Sequence, residues 1–247
     1  MAPLSLKSFR VLIILLGFVL VANQTVKAQT YGYIGLGYNM SFLQSDGLDY
    51  VISRYNETRT YLDEQMKDPR YFDGMAIHFG LSQNAFLFDF GYTQQSCVVG
   101  AEGVDLSGVV QRREVKNKWN TIDFGFGVSL GNSETKALAL GVNVGLNSEK
   151  SLTRADTPDK IGVANFAQVQ KQFKIGLSPF VQFAVCSEDG FGVIFKPYYA
   201  WSPVKTDYTE LNKYINPYTA PGDPSPIEGT LKGFGITVML AFIDAEE

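Results

Sequence analysis

The chain of 247 residues has little of what most enzyme chemistry is built from: two cysteines, one histidine and two tryptophans. Two cysteines exclude a disulfide-held scaffold. One histidine leaves no Cys/His spacing for a metal. HExxH, GxSxG, P-loop and CxxC patterns are absent, so no catalytic, metal or cofactor residue is assigned by motif. Charged residues make up 19%, hydrophobic residues 45%, and the mean hydropathy is -0.01. That balance excludes a disordered or coiled-coil chain and is too polar for a helical membrane protein. No apolar run has spanning length, since the longest, 11–22, is well short of the ~20 residues a transmembrane helix needs.

That run is part of a targeting segment. Lys7 and Arg10 precede it, and Val26-Lys27-Ala28 follows with a small residue suited to signal peptidase. Residues 1–28 are therefore expected to be a secretory signal peptide, and 29–247 the mature domain. Losing Lys7, Arg10 and Lys27 with no acid turns the formal charge of -4 into -7. So acidic a chain is a poor partner for nucleic acid.

The mature sequence alternates with period two in eight runs. In 30–42, Ile34, Leu36, Tyr38, Met40 and Phe42 alternate with Gly35, Gly37, Asn39 and Ser41. Seven more runs repeat this, among them Phe86, Phe88, Phe90 and Tyr92 around Asp89, and Phe234, Ile236, Val238, Leu240 and Phe242 at the end. One face is bulky and apolar throughout; the other is small or polar. Facing the bulky side outward into lipid gives a transmembrane barrel. Facing it inward gives a soluble barrel around an apolar ligand. Connections favour the first and leave the soluble ligand-binding barrel as the alternative, because long ones (43–73, 98–117, 148–167, 203–228) alternate strictly with short ones (83–85, 131–135, 187–190). The expected fold is all-β: an eight-stranded antiparallel up-and-down transmembrane β-barrel with four long extracellular loops and three short periplasmic turns, both termini periplasmic. Tyr31, Tyr33, Phe86, Tyr92, Trp119, Tyr199 and Trp201 stand at run ends as candidate interfacial aromatics.

This pattern resembles the small eight-stranded outer-membrane barrels of the OmpA transmembrane-domain and OmpX type. In length, signal and lack of a periplasmic domain it is similar to the PorT-like outer-membrane barrel proteins. Gly235, Val238, Leu240 and Phe242 of the last run look like the signal read by the barrel-assembly machinery, although the chain continues past the aromatic to Glu247. The resemblance implies outer-membrane lipid and that machinery as partners. A PorT-like protein would support secretion or assembly.

Within the barrel, His78, Asp89, Asp123, Lys174 and Lys196 fall on the small, polar face and are expected to form a lumen polar network, two acids neutralising two bases. His78 near Ser82 and Asp89 also admits a lipid-modifying enzyme, although no motif surrounds it. Cys97 and Cys186, at opposite ends of the barrel, are expected to remain free thiols.

The loops carry apolar residues of their own. Leu48, Val51, Ile52, Tyr55, Leu62 and Met66 recur at helical spacing in 48–67, interrupted by Arg59, and Tyr208, Leu211, Tyr214 and Ile215 lie in the last loop. Leu48, Ile52, Tyr55, Leu62, Met66, Tyr208 and Tyr214 are the candidate surface for an envelope protein partner; the alternative is that they pack over the barrel mouth. Pro179 and Pro197 fall inside strand runs, where a paired bulge or a weakened seam would accommodate them. The expected function is that of a non-enzymatic barrel, working through its loops or within an envelope complex.

Overall fold

The computed structural model describes residues 30–83, 85–105, 107–133, 135–156, 165–187, 189–217 and 224–246. The expected signal peptide, 1–28, lies outside them. In chain order the elements are β1 (Thr30–Gln44), α1 (Asp46–Glu57), β2 (Leu62–Glu64), β3 (Tyr71–Gln83), β4 (Phe86–Val104), β5 (Val110–Ser133) and β6 (Lys136–Asp156). They continue as β7 (Ala167–Cys186), β8 (Phe191–Trp201), β9 (Thr206–Asp207), α2 (Thr209–Ile215), β10 (Glu228–Gly229) and β11 (Lys232–Glu246).

Eight of these strands close a ring. β1 pairs β3, then β4, β5, β6, β7, β8 and β11 follow in order, and β11 returns to β1 from Thr30↔Glu246 to Gln44↔Lys232. Every neighbour pair is antiparallel. The period-two pattern decides which residues face out. Ile34, Leu36, Phe42, Phe79, Phe88, Phe124, Leu146, Phe173 and Leu240 are all exposed, Leu240 at 74%. A water-soluble protein seldom exposes contiguous apolar area beyond a few hundred Å². Here it runs around the whole ring, as in a barrel immersed in hydrocarbon. Phe88 and Phe124 point outward at 48% and 45% exposure, so the soluble-barrel alternative fails. No described helix is long and apolar enough to cross a membrane.

The walls extend further than the alternation showed. β4 and β5 continue to Val104 and from Val110, and β6 runs to Asp156, so the second long connection is mostly a hairpin standing above the apolar belt. Ladder hydrogen bonds need no apolar contrast between faces, and above the belt both faces are polar, so the periodic signal ends before the strand does.

Inside, the interior is bulkier than its small residues indicated. Tyr31 and Tyr33 are buried in the lumen, with Leu87, Phe180, Ile194, Met239 and Ile243, and close the turn end. Trp119 is also buried, with Leu43, Phe72, Cys97 and Leu231, nearer the loop end. None of these three aromatics belongs to an interfacial girdle, whereas Phe86, Tyr92 and Trp201 are exposed. Glycines make the room: a Cβ at Gly80 would stand 2.1 Å from the Tyr33 ring, and one at Gly91 2.4 Å from His78.

The two strand prolines form no bulge. Leu177↔Trp201, Phe180↔Tyr198 and Phe183↔Phe195 keep one register past both prolines, but the positions between them drop out of the ladder. The surviving pairs make the odd positions of β7 the hydrogen-bonded ones. Pro179 therefore offers no donor to the Tyr199 carbonyl, nor Pro197 to that of Val181. The paired bulge is replaced by a seam thinned by two hydrogen bonds, beside an apolar groove on the lipid face lined by Pro179, Val181, Pro197, Tyr199 and Phe234.

Candidate functional site

Three layers of residues fill the barrel axis above the turn-end plug. The lowest is a polar knot. Asp89, 4% exposed, projects inward from β4, because its neighbours Phe88 and Phe90 face lipid. Its carboxylate accepts from Lys196 Nζ and from the Tyr33 hydroxyl, and lies 3.0 Å from Nδ1 of His78. Lys196 also lies over the Phe180 ring at 4.2 Å and 3.4 Å from Asn143 Oδ1. The Tyr33 oxygen is 3.1 Å from the Gln182 amide. Its single proton is committed to Asp89, so an amide turned to donate from Nε2 satisfies both groups.

Above the knot is a polar chamber of about 30 Å³, lined by His78, Gln95, Asp123, Asn143, Asn147 and Tyr198. Nε2 of His78 is buried there without a protein partner. A chamber of that size holds about two waters.

Lys174 is not part of this knot. It reaches the mouth of the barrel, where Nζ lies 2.5 Å from Glu149 Oε2. Glu149 and Lys174 form a second cluster with Thr206 and Tyr208, whose oxygens are 2.9 and 2.8 Å from the Glu149 carboxylate. Burial and the adjacent Glu149 carboxylate push the Tyr208 phenol well above its ordinary value. The expectation of one network through all five residues is thus corrected: His78, Asp89 and Lys196 meet in the knot, Asp123 lines the chamber, and Lys174 belongs to the mouth. Glu149 was missed because it lies beyond Leu146, where apolar alternation stops. The signal that would have found it is its parity, three steps along the inward face from Asn143.

The top layer is a folded cap. Leu48, Val51, Ile52 and Tyr55 form the buried face of α1, against Tyr208, Leu211 and Ile215 from the last loop, together with Met66, Val115 and Ile227. Leu62 packs at the edge of this cluster from β2. The helix is shorter than the 48–67 spacing indicated. Asn56 bonds both backbone groups of Met66, at 2.9 and 3.0 Å, and so brings an extended segment back beneath α1. Arg59 interrupts the apolar stripe because it ties the two loops together: its guanidinium lies 3.9 Å over Tyr55 and donates to the Ile215 carbonyl at 2.7 Å.

As a docking surface, then, these residues are corrected. Leu48, Ile52, Tyr55, Met66 and Tyr208 are buried, Leu62 is partly buried, and Tyr214 is exposed, because closing the barrel mouth hides the apolar side of both loops. Apolar residues that do face solvent on the loop side include Tyr214, Val204, Val104 and Val109. Among the described residues no three His, Cys, Asp or Glu side chains gather to hold a metal. Cys97 and Cys186 are both free.

No family model matches the chain, and no curated protein matches it in sequence. Among solved structures, it is similar to Ail, the attachment invasion locus protein of Yersinia pestis, at 10% identity over 87% of this chain and 99% of that one, with a TM-score of 0.41. It is similar also to Neisserial surface protein A, at 10% identity over 85% and 96% of the two chains and a TM-score of 0.37. A third is the outer membrane protease OmpT from Escherichia coli, at 8% identity over 90% and 99% and a TM-score of 0.42.

Proposed function

We propose that the protein is an integral outer-membrane barrel that conducts nothing and works through its extracellular end, as a binding partner of another envelope protein. The observation that carries this reading is the filled axis: turn-end plug, knot and cap lie one above another, and the chamber between them holds only about two waters. A closed lumen leaves the loop side as the working surface. There the cap is pre-organised by Arg59 and Glu149, which lowers the ordering cost of binding. Val104 and Val109 at the tip of the β4–β5 hairpin, with Tyr214 on the cap, supply exposed apolar contacts.

A non-enzymatic role fits the same geometry. His78 is paired with Asp89, its Nε2 is buried, and the chamber it lines, about 30 Å³, has no room for a lipid or peptide substrate. In this reading both termini are periplasmic, the barrel-assembly machinery inserts the chain, and outer-membrane lipid surrounds it.

Photocrosslinking in intact cells from positions 104, 109 and 214, with position 189 in a short turn as control, tests it. The expected result is one envelope protein captured from all three loop positions and not from 189. A secretion component among the captured proteins would make the chain a PorT-like assembly factor. Equal capture from 189, or channel conductance of the purified protein in planar bilayers, would overturn the reading.

A further inference from the structure

Period two places Lys118 of β5 and Lys150 of β6 on the outer face, because their neighbours Trp119, Glu149 and Ser151 are buried inside, and Lys171 of β7 shares that face with exposed Phe173 two positions on. The register then sets them in one row: Lys118 is directly opposite Lys150, and Lys150 directly opposite Lys171. Cβ atoms of such partners lie about 5 Å apart, and like charges so placed repel. Among the described residues no acidic partner is found for any of the three. Glu114, four residues before Lys118 on the same strand, is already held by Arg112 at 2.9 Å and by Arg154. Lys116 and Arg154 add to the positive sector, gathered at 5.6 and 4.7 Å around the Phe166 ring.

The height of the row matters as much as its charge. Ile122, Leu146 and Phe173 form the top of the apolar belt on these strands, and the lysines stand two outward positions above Ile122 and Leu146 and one above Phe173. The Lys171 ammonium bends down to 4.5 Å from the ring of Phe173, an exposed belt residue. Headgroups occupy that level of a bilayer. In a chain of net charge -4, three lysines set side by side on adjacent strands, with no acid paired to them among the described residues, describe a place for an anion supplied from outside.

We propose that Lys118, Lys150 and Lys171 form a binding site for the phosphate-bearing headgroup of a membrane lipid in the leaflet on the loop side. The belt below the row receives the acyl chains of the same molecule, which is why the anion is a lipid and not a soluble phosphate. Ammonium groups on a strand face hold phosphate as point charges, each contributing on the order of fivefold in affinity near an anionic surface.

The full mature chain, folded in detergent, would be titrated with phosphatidylglycerol, with phosphatidylcholine of the same chains, and with inorganic phosphate. Native mass spectrometry reads the bound molecules, and heat-modifiable electrophoretic mobility reports folding. The expected result is retention of phosphatidylglycerol more than tenfold better than phosphatidylcholine. That preference should be lost in the K118Q/K150Q/K171Q variant and kept in K205Q/K213Q/K232Q, which removes the same charge elsewhere. Equal loss in both folded variants, no preference in the unmodified protein, or equal occupancy by inorganic phosphate would each overturn the proposal. Should K118Q/K150Q/K171Q fail to fold, the same titration on K150Q alone decides, with a several-fold loss expected and no loss overturning the site.

Discussion

Tyr208, in the segment that enters α2, donates its phenol proton at 2.8 Å to Glu149 on the inner wall of β6. The other carboxylate oxygen of Glu149 receives Lys174 at 2.5 Å and Thr206 at 2.9 Å. One buried carboxylate therefore joins β6, β7 and the last loop, and the cap rests on that joint.

Removing the carboxylate should free the cap while sparing the barrel. In Glu149→Ala, Lys174 stays buried without its counter-charge, at a cost of about 3 kcal/mol. Tyr208→Phe loses one hydrogen bond to a charged acceptor, about 1.5 kcal/mol. Urea unfolding in lipid vesicles gives both values. Limited proteolysis should cut within 203–228 in Glu149→Ala and leave the barrel strands intact; resistance equal to that of the unmodified protein would show that the apolar cluster alone holds the cap.

The knot below makes a sharper demand, because Lys196 is 1% exposed and Asp89 4%. Asp89→Asn should destabilise the barrel by about 3–5 kcal/mol, since it leaves an uncompensated buried ammonium. Adding Lys196→Met removes that charge and should restore most of the loss. A double variant no more stable than Asp89→Asn would show that the pair contributes little and that Asp89 acts through Tyr33 and His78 instead.

Much of this architecture is legible in the sequence because lipid and lumen impose opposite demands on alternate residues. Ile34, Phe88 and Leu240 are readable as outward from period two alone. What the alternation cannot show is where strands end once both faces are polar, and so Glu149 and Lys150 fall in the expected 148–167 loop although they stand on a barrel wall. Nor does it show that a glycine faces a ring. Gly80 and Gly91 read as narrow-lumen residues, whereas they are hollows for Tyr33 and His78. The helix of the first loop is readable from spacing, whereas that of the last loop is not, and the direction of their apolar sides is set by the barrel mouth, a feature of tertiary structure.

The hairpin tip responds to pH through Asp105. Its carboxylate accepts from the Ser107 hydroxyl and amide and from the Val109 amide at 3.1 Å. These bonds hold it below the usual carboxylate range. A carboxyl depressed in the folded state contributes order above its unfolded value of about 3.9 and loses that contribution as pH falls through the lower folded value. Hydrogen exchange at the Ser107 and Val109 amides should thus be slow relative to chemical exchange near neutrality and lose protection in strong acid. Asp105→Ala should lack protection at every pH, and protection that persists in it would assign the turn to backbone bonds alone.

The seam between β7 and β8 is the place where the ladder and the hydrocarbon disagree. Carbonyls of Val181 and Tyr199 lose their ladder donors to Pro197 and Pro179. A bare carbonyl in hydrocarbon costs free energy. Pro197→Val returns a donor opposite Val181 and keeps an apolar side chain on the lipid face, so it should raise the unfolding free energy by about 1 kcal/mol. Pro179→Val should do the same for Tyr199, and the two together should add, because each restores a separate bond. Infrared spectra with 13C at the Val181 carbonyl read the cause directly: the band should shift to lower frequency in Pro197→Val as the bond forms. If stability falls and the band stays, that carbonyl already has another donor, water or lipid, held in the groove beside Pro179 and Pro197.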